Sequence, residues 1–367
     1  MSLVVGLVLF AAFIAAGAVF KLYRNQWFWG VVAIIVLLCL NLLKDPGYLA
    51  IDYVDSTGRL VGNLLDIVRW AAPTMLIATG MALVIATRGI DLSVGSSMVA
   101  GGAASLQLLS AANPTSAGDA AVAVLLAILT GGAIGAVNGL LVTYVKLQPF
   151  ITTLVMMMAG RGIAKVITDG QNTSATNAPF KWLVNGTVLG FPVVFLVALA
   201  VVGIVGLWVR RSAFGLVVEA IGINPKAAWM AGIRPAGILL TVYVVSGVLA
   251  ALAGVFSVGS VMVVDVSKTG YQAELDAILA VVVGGTSLAG GKFSIRGALV
   301  GALLIATLDK TVLFLGVSGA ATPAFKAVVI VVLCLLQSQR VRGLFARRRR
   351  RTAVETAAEP VKGSVTV

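Results

Sequence analysis

Eleven apolar runs follow one another along the chain, near residues 3–20, 28–43, 71–87, 92–111, 119–145, 150–168, 189–209, 236–262, 276–290, 297–315 and 322–338. A helix needs about 20 residues, within about 17–25, to cross the hydrocarbon core of a bilayer. Composition agrees with the segmentation. Of 367 residues 59% are apolar, and 41 glycines bring the share to about 70%, against about 45–50% for a soluble domain counted the same way. Only 11% are charged, where about 25% is usual. A water-soluble globule of this size cannot hide that much apolar surface, which excludes a soluble enzyme. The reading is an all-α, polytopic membrane helix bundle of about 10–11 transmembrane helices. The runs at 28–43 and 276–290 are short, and the second ends in glycines, so either is a candidate for a broken helix.

The chain has no histidine, the commonest metal ligand and neutral-pH general base. Cys39 and Cys334 stand singly in apolar runs and match no ligand spacing, so neither a metal nor a cofactor is expected. The net charge of +13 falls to +6 without Arg340, Arg342 and Arg347 to Arg351. A basic cluster directly after a hydrophobic span anchors a cytoplasmic end and meets anionic lipid headgroups. It lacks the interleaved aromatics of a nucleic-acid surface, so no nucleic-acid partner is expected.

With that tail inside, counting back places Lys21 and Arg24, Arg88, Lys146, the loop 210–235, and Lys292 with Arg296 on the cytoplasmic side. The loops assigned outside, 112–118, 169–188, 263–275 and 316–321, carry only Lys181 and Lys268. The segment 44–70 strains the rule, because Lys44, Arg59 and Arg69 lie outside with Asp45, Asp52, Asp55 and Asp66. Residues 1–27 form an extra hydrophobic segment and a short basic loop. No basic residue precedes the apolar stretch, so it fits a cleaved secretory signal poorly. Inserted, it gives eleven spans and an outside N-terminus; otherwise ten remain, with both ends inside. Residues 341–367 read as a basic and then disordered cytoplasmic tail.

Two stretches put glycines and polar groups at membrane depth. Arg88-Gly89-Ile90-Asp91-Leu92-Ser93-Val94-Gly95-Ser96-Ser97 and Gly284-Gly285-Thr286-Ser287-Leu288-Ala289-Gly290-Gly291-Lys292 align at an offset of 196, pairing Gly89 with Gly285, Leu92 with Leu288 and Gly95 with Gly291. Paired, glycine-interrupted segments in two related halves point to a transport pathway, since unwound backbone at this depth must line protein or water. Tight helix packing through small residues is the other reading. The pathway candidates are Gly89, Asp91, Ser93, Gly95, Asn138, Gly284, Gly285, Ser287, Gly290 and Gly291. Ala289-Gly290-Gly291-Lys292 is not a phosphate-cradling loop, because Thr286 and Phe293 occupy positions that such a loop gives to Gly and Ser or Thr.

The loop 210–235 reads RRSAFGLVVEAIGINPKAAWMAGIRP. Asn224 can cap a helix whose first residue is Pro225, continuing through Lys226 to Ala231, with Gly232 ending it in a left-handed conformation. So short a helix is unstable alone in water, and Trp229 and Met230 on it imply a covering surface, another protein or the lipid interface.

Together Gly89 to Gly95, Gln148-Pro149-Phe150 with Gly160-Arg161-Gly162, Glu219 to Asn224, and Glu274-Leu275-Asp276-Ala277-Ile278 followed by Gly284 to Gly291 resemble the inner-membrane permeases of bacterial ABC monosaccharide importers, ribose and galactofuranose permeases above all. The resemblance covers about residues 28–340. It implies about ten helices and both termini inside. It also implies a second permease, either another copy or a sister chain, with two cytoplasmic ATPases and a periplasmic or lipid-anchored sugar-binding protein. It further implies a coupling helix seated in the ATPase, carried here by Glu219, Ala220, Gly222, Asn224, Pro225, Ala227, Ala228, Trp229 and Gly232. Residues 1–27 depart from the family pattern. The expected activity is translocation of a monosaccharide, a pentose or furanose, with ATP hydrolysed by the partner. Three other readings remain. One is a permease for branched-chain amino acids. Another is an ion-coupled transporter, for which Asp91, Asp276 and Asp309 are the acidic candidates. The last is a membrane enzyme, for which no chemistry is visible.

Overall fold

The computed structural model describes residues 26–54 and 59–337. The run at 3–20, the arginine cluster and the tail lie outside the described residues, with everything expected of them. Each of the other ten runs forms a helix. In chain order the helices are α1 Gln26–Lys44, α2 Asn63–Ala86, α3 Val94–Ser110, α4 Ala117–Thr143, α5 Pro149–Ile167, α6 Ala178–Asn185, α7 Val193–Arg211, α8 Ala213–Ile223, α9 Pro225–Met230, α10 Pro235–Val261, α11 Ala273–Val283, α12 Ile295–Leu315 and α13 Thr322–Gln337. Among the described residues, α1 (from Trp27), α2, α4, α5, α7, α10 and α12 are long and apolar enough to cross a membrane alone.

The run at 28–43 forms an unbroken helix, whereas that at 276–290 breaks at Val283. At about 1.5 Å per residue, the 11 residues of α11 span about half of a hydrocarbon core. The 17 residues of α3 stand at the lower limit for a crossing, and from Val94 to Leu106 the helix is buried throughout. Neighbouring helices rather than lipid therefore set its length.

Helix α10 runs through the centre, packed by α2, α3 and α4. Small residues permit the close approach. A Cβ on Gly247 of α10 would overlap the carbonyl oxygen of Gly131 on α4, and one on Gly254 that of Met98 on α3. Gly131 and Gly135 lie one turn apart on the α4 face that meets α10, the spacing that lets membrane helices interlock without side chains between them. Large apolar side chains such as Leu125, Leu129, Met158 and Ile204 face outward, as lipid contact requires.

Arg88, Lys146, Arg210, Arg211, Arg234, Lys292 and Arg296 all lie at one end of the bundle, called here the basic side, at the termini of α2, α4, α7, α10 and α12. Three short antiparallel strand pairs tie loops at the other end: 52–54 with 59–61, 173–174 with 263–264, and 187–188 with 191–192. Two of the three cations of the segment 44–70 meet protein groups. Lys44 donates to the Phe314 carbonyl at 2.9 Å, and Asp66 pairs with Lys310 at 2.6 Å and stands 4.0 Å from Arg69.

Candidate coupling junction and translocation elements

The loop 210–235 is helical over most of its length. Ser212 caps α8 by accepting from the Phe214 amide at 3.3 Å, and Gly215, Val218, Ile221 and Gly222 form its buried face. Helix α8 was not expected, although Ser212 followed by small and apolar residues at spacings of three and four was the available signal. Asn224 ends α8 and caps α9, its Oδ1 accepting from the Lys226 and Ala227 amides at 3.1 Å each. Pro225 is the first residue of α9, and Gly232 takes φ +84° just beyond it. These are the positions read from the sequence. Pro225, Ala227, Trp229, Met230 and Gly232 are exposed, with Trp229 at 66% and Met230 at 74%, whereas Ala228 is buried at 5%. Glu219 and Ala220 are half-buried on α8. Asn224→Ala removes both capping bonds, at a cost of about 1 kcal/mol. Amide exchange of residues 226–230 in the assembled transporter is expected to rise about fivefold, and unchanged exchange would contradict the capping role.

The two glycine-rich breaks meet this loop. The α2–α3 break follows Ala86. At the repeat offset Ala86 corresponds to Val282, and α11 ends one residue later. Arg88, at φ +65°, turns its guanidinium to the end of α8, its Nε donating to the Gly222 carbonyl and its Nη2 to that of Ile223, both at 2.6 Å. The Gly291 amide donates to the Ala86 carbonyl at 2.8 Å. Gly285, Gly290 and Gly291 all have positive φ, and a Cβ on Gly290 would strike the Arg88 side chain. Gly222 is enclosed most tightly, because its Cβ would overlap the Ala86 oxygen and the Gly291 nitrogen. Gly284 packs on Gly297 at the start of α12, and Gly89 faces the Tyr243 hydroxyl. Ser287 is exposed, its Oγ accepting from the Ala289 amide at 3.3 Å. Six of the ten pathway candidates (Gly89, Gly284, Gly285, Ser287, Gly290 and Gly291) therefore lie at the basic side, beside or near the α8–α9 loop.

The other four lie deeper. Asp91 is 1% exposed, its Oδ1 accepting from the Ser93 amide at 3.0 Å and the Ser93 hydroxyl at 2.6 Å, its Oδ2 from Ser246 of α10 at 2.8 Å. Asn138 of α4 donates to the Ser93 hydroxyl at 2.8 Å, and Thr153 of α5 to the Ile90 carbonyl at 2.9 Å. A carboxylate at this depth persists only with such partners. The network sews the α2–α3 break to three helices and leaves the Asn138 Oδ1 and Tyr243 hydroxyl buried without partners. Ser246, Thr153 and Tyr243 were missed from sequence, though Ser246 is the lone hydroxyl in the apolar stretch 242–256 apart from Tyr243. Ser246→Ala leaves a buried carboxylate one donor short, which costs about 1–3 kcal/mol. The melting temperature in detergent is expected to fall; an unchanged melt would remove Asp91 from the list of structural anchors.

Gly95 packs at the start of α3 against the Gly270 carbonyl and the Glu274 carboxylate, where the 262–272 loop leads into α11. Arg161, twelve residues into α5 and about 18 Å from its first residue, donates to the Thr269 and Gly270 carbonyls at 3.4 and 3.1 Å. That loop thus dips from the far end towards mid-membrane, and the half-length helix α11 starts there. Asp276 and Asp309, acidic candidates for ion coupling, both pair with Lys326 of α13, at 3.0 and 2.9 Å. Among the described residues no group of acidic, cysteine or histidine side chains is placed to hold a metal.

Interrupted helices at membrane depth fit a class, the multi-pass membrane transport protein. Residues 63–336 match the family model described as the permease component of branched-chain amino acid transport systems. The chain belongs to this permease family, and is a transport subunit rather than an enzyme. It is 48% identical to the fructose import permease protein FruF of Bifidobacterium longum over 93% of this chain and 96% of that one. It is 40% identical to the galactofuranose transporter permease protein YtfT of Escherichia coli K12, covering 86% and 92%. With the ribose import permease protein RbsC of the same strain it shares 38%, covering 84% and 92%. These relatives are sugar permeases, as the resemblance implied, although fructose was not among the sugars it named. No solved structure matches the chain.

Proposed function

We propose that the protein is the membrane-embedded subunit of an ATP-driven monosaccharide importer in the inner membrane, carrying a pentose or furanose. The basic side and the C-terminus face the cytoplasm. Trp229 and Met230 on α9 seat in a partner ATPase, and a binding protein delivers sugar at the opposite end. A second permease, another copy or a sister chain, completes the pathway. The observation that carries this reading is the junction of the C-terminal end of α8, which leads through Asn224 directly into α9, with both helix breaks through Arg88, Gly222 and Gly291. Movement of α9 by the ATPase is transmitted through backbone contacts to the segments that lead to Asp91, Ser93 and Asn138. Pairing of Asp276 and Asp309 with Lys326, and of Asp91 with hydroxyls, favours this over ion coupling, which needs a carboxylate able to exchange its cation.

Co-reconstitution with the ATPases and binding protein tests the proposal. Uptake is expected to survive a collapsed proton gradient and to stop when ATP is depleted. Trp229→Ala is expected to weaken ATPase association about tenfold or more, as loss of an interface aromatic does. Uphill uptake by the chain alone on an ion gradient would overturn the reading.

A further inference from the structure

In the half of the bundle opposite the basic side, α11, the two residues before it and α13 flank an open cavity of about 790 Å³. Its rim is the Gly319–Pro323 segment, and its floor reaches Leu279, Ile330 and Val331. Four side chains give it chemistry. Tyr271 is 67% exposed, and Gln272, Asp276 and Lys326 line the wall. We propose that this cavity is an entry site at which the permease receives a neutral monosaccharide before the helix breaks open, with Tyr271, Gln272 and Asp276 as its specificity-determining residues. The proposal rests on the importer reading above and extends it to a place that none of the motif residues occupies.

Three independent features support that ligand. First, the charges are pre-arranged. Lys326 is held between Asp276, at 3.0 Å, and Asp309, at 2.9 Å, so the ammonium is more than neutralised and the triad is net negative. Asp309, which lies outside the cavity lining, takes up Lys326 as well, so the wall offers acceptors for hydroxyl donors and no unpaired cation for sugar acids or sugar phosphates. Asp276 has lone pairs left after Lys326 is served, because an ionised carboxylate offers about four acceptor positions.

Second, Gln272 has φ +61°, a left-handed conformation that a non-glycine residue adopts at a cost of about 1–2 kcal/mol. It stands at the cap position of α11 without capping the helix through its side chain. The side chain of this strained residue lines the cavity. Third, Tyr271 offers an exposed aromatic face at the mouth, with an apolar body for sugar C–H groups and a polar tip. The cavity lies within the usual range of ligand sites, about 300–1,000 Å³, and accommodates one sugar ring with water.

The experiment uses the full transporter with its ATPases and binding protein in proteoliposomes, and measures ATP-driven uptake of radiolabelled ribose and fructose. Tyr271→Ala and Gln272→Gly are expected to lower uptake of the accumulated sugar about tenfold, with Tyr271→Phe restoring most of it, while size-exclusion profiles show intact complexes. Gln272→Gly keeps the left-handed backbone conformation accessible, and an intact size-exclusion profile separates its loss of uptake from misfolding. Asp276→Asn is expected to make uptake at least threefold more sensitive to competition by the corresponding sugar acid, a change that a purely structural role would not produce. Wild-type transporter that accumulates sugar, with variants that match it in rate and competition, overturns the entry site and leaves the importer reading standing. Wild-type transporter that accumulates neither these two nor any other sugar of a panel of pentoses and hexoses, galactofuranose included, overturns the monosaccharide reading, and the entry site with it.

Discussion

Gly222→Val is expected to abolish uptake, with a loss of at least about a hundredfold. The added side chain meets backbone on two sides, the Ala86 carbonyl oxygen and the Gly291 amide nitrogen, and these two atoms are joined by a 2.8 Å hydrogen bond. A flexible side chain could rotate away; backbone at the end of α2 and in the α11–α12 break cannot. Overpacking of this kind costs about 1–3 kcal/mol and more where backbone must shift. The damage falls where α8, the α2–α3 break and the α11–α12 break touch, so loss of function is expected to exceed loss of stability. Uptake and detergent melting measured on the same preparation check this. Wild-type uptake by Gly222→Val would show that the three elements need not stay in contact during transport.

Arg88→Asn is expected to uncouple hydrolysis from transport, lowering sugar moved per ATP about tenfold or more. Arg88 makes two charge-assisted bonds of 2.6 Å to the last carbonyls of α8, groups that the helix itself leaves unpaired and where a cation is favoured. Asparagine tolerates the positive φ of residue 88 but is too short to reach both carbonyls, so the substitution tests the guanidinium rather than the backbone. Arg88→Lys retains charge and one contact, and an intermediate ratio is expected. The ratio of uptake to phosphate release in proteoliposomes is the measurement. A ratio equal to wild type in Arg88→Asn would assign transmission to the Gly222–Ala86–Gly291 contact alone.

Much of the bundle is legible in one sequence, because lipid imposes a simple rule. Each crossing must satisfy its own backbone and present apolar side chains, which writes the spans into composition. Asn224, Pro225 and Gly232 delimit α9 for an equally local reason, since caps and left-handed turns depend on the residue that occupies them. Helix α8 escaped notice because its apolar residues read as loop beside a membrane, and only burial of Gly215, Val218, Ile221 and Gly222 separates the two. The offset of 196 located both breaks but placed Gly95 and Gly291 in one role. In the molecule Gly95 touches Gly270 near mid-membrane and Gly291 touches Ala86 at the basic side.

The amino-acid sequence by itself determined that this chain lives in a membrane, which ten described apolar runs become helices (though not the start of α2, the end of α11 or the short helices α6 and α8), and the capped helix between α8 and α10. Those properties follow from local energies: transfer of apolar groups, backbone conformation and single side-chain caps. Tertiary structure alone decided which glycines meet, that Arg88 reaches the end of α8, that Asp91 is held by Ser246 of α10, and that Lys326 stands between Asp276 and Asp309. These partners lie tens to more than a hundred residues apart, and their meeting depends on how closely small residues let whole helices approach, a cooperative property that no local pattern encodes.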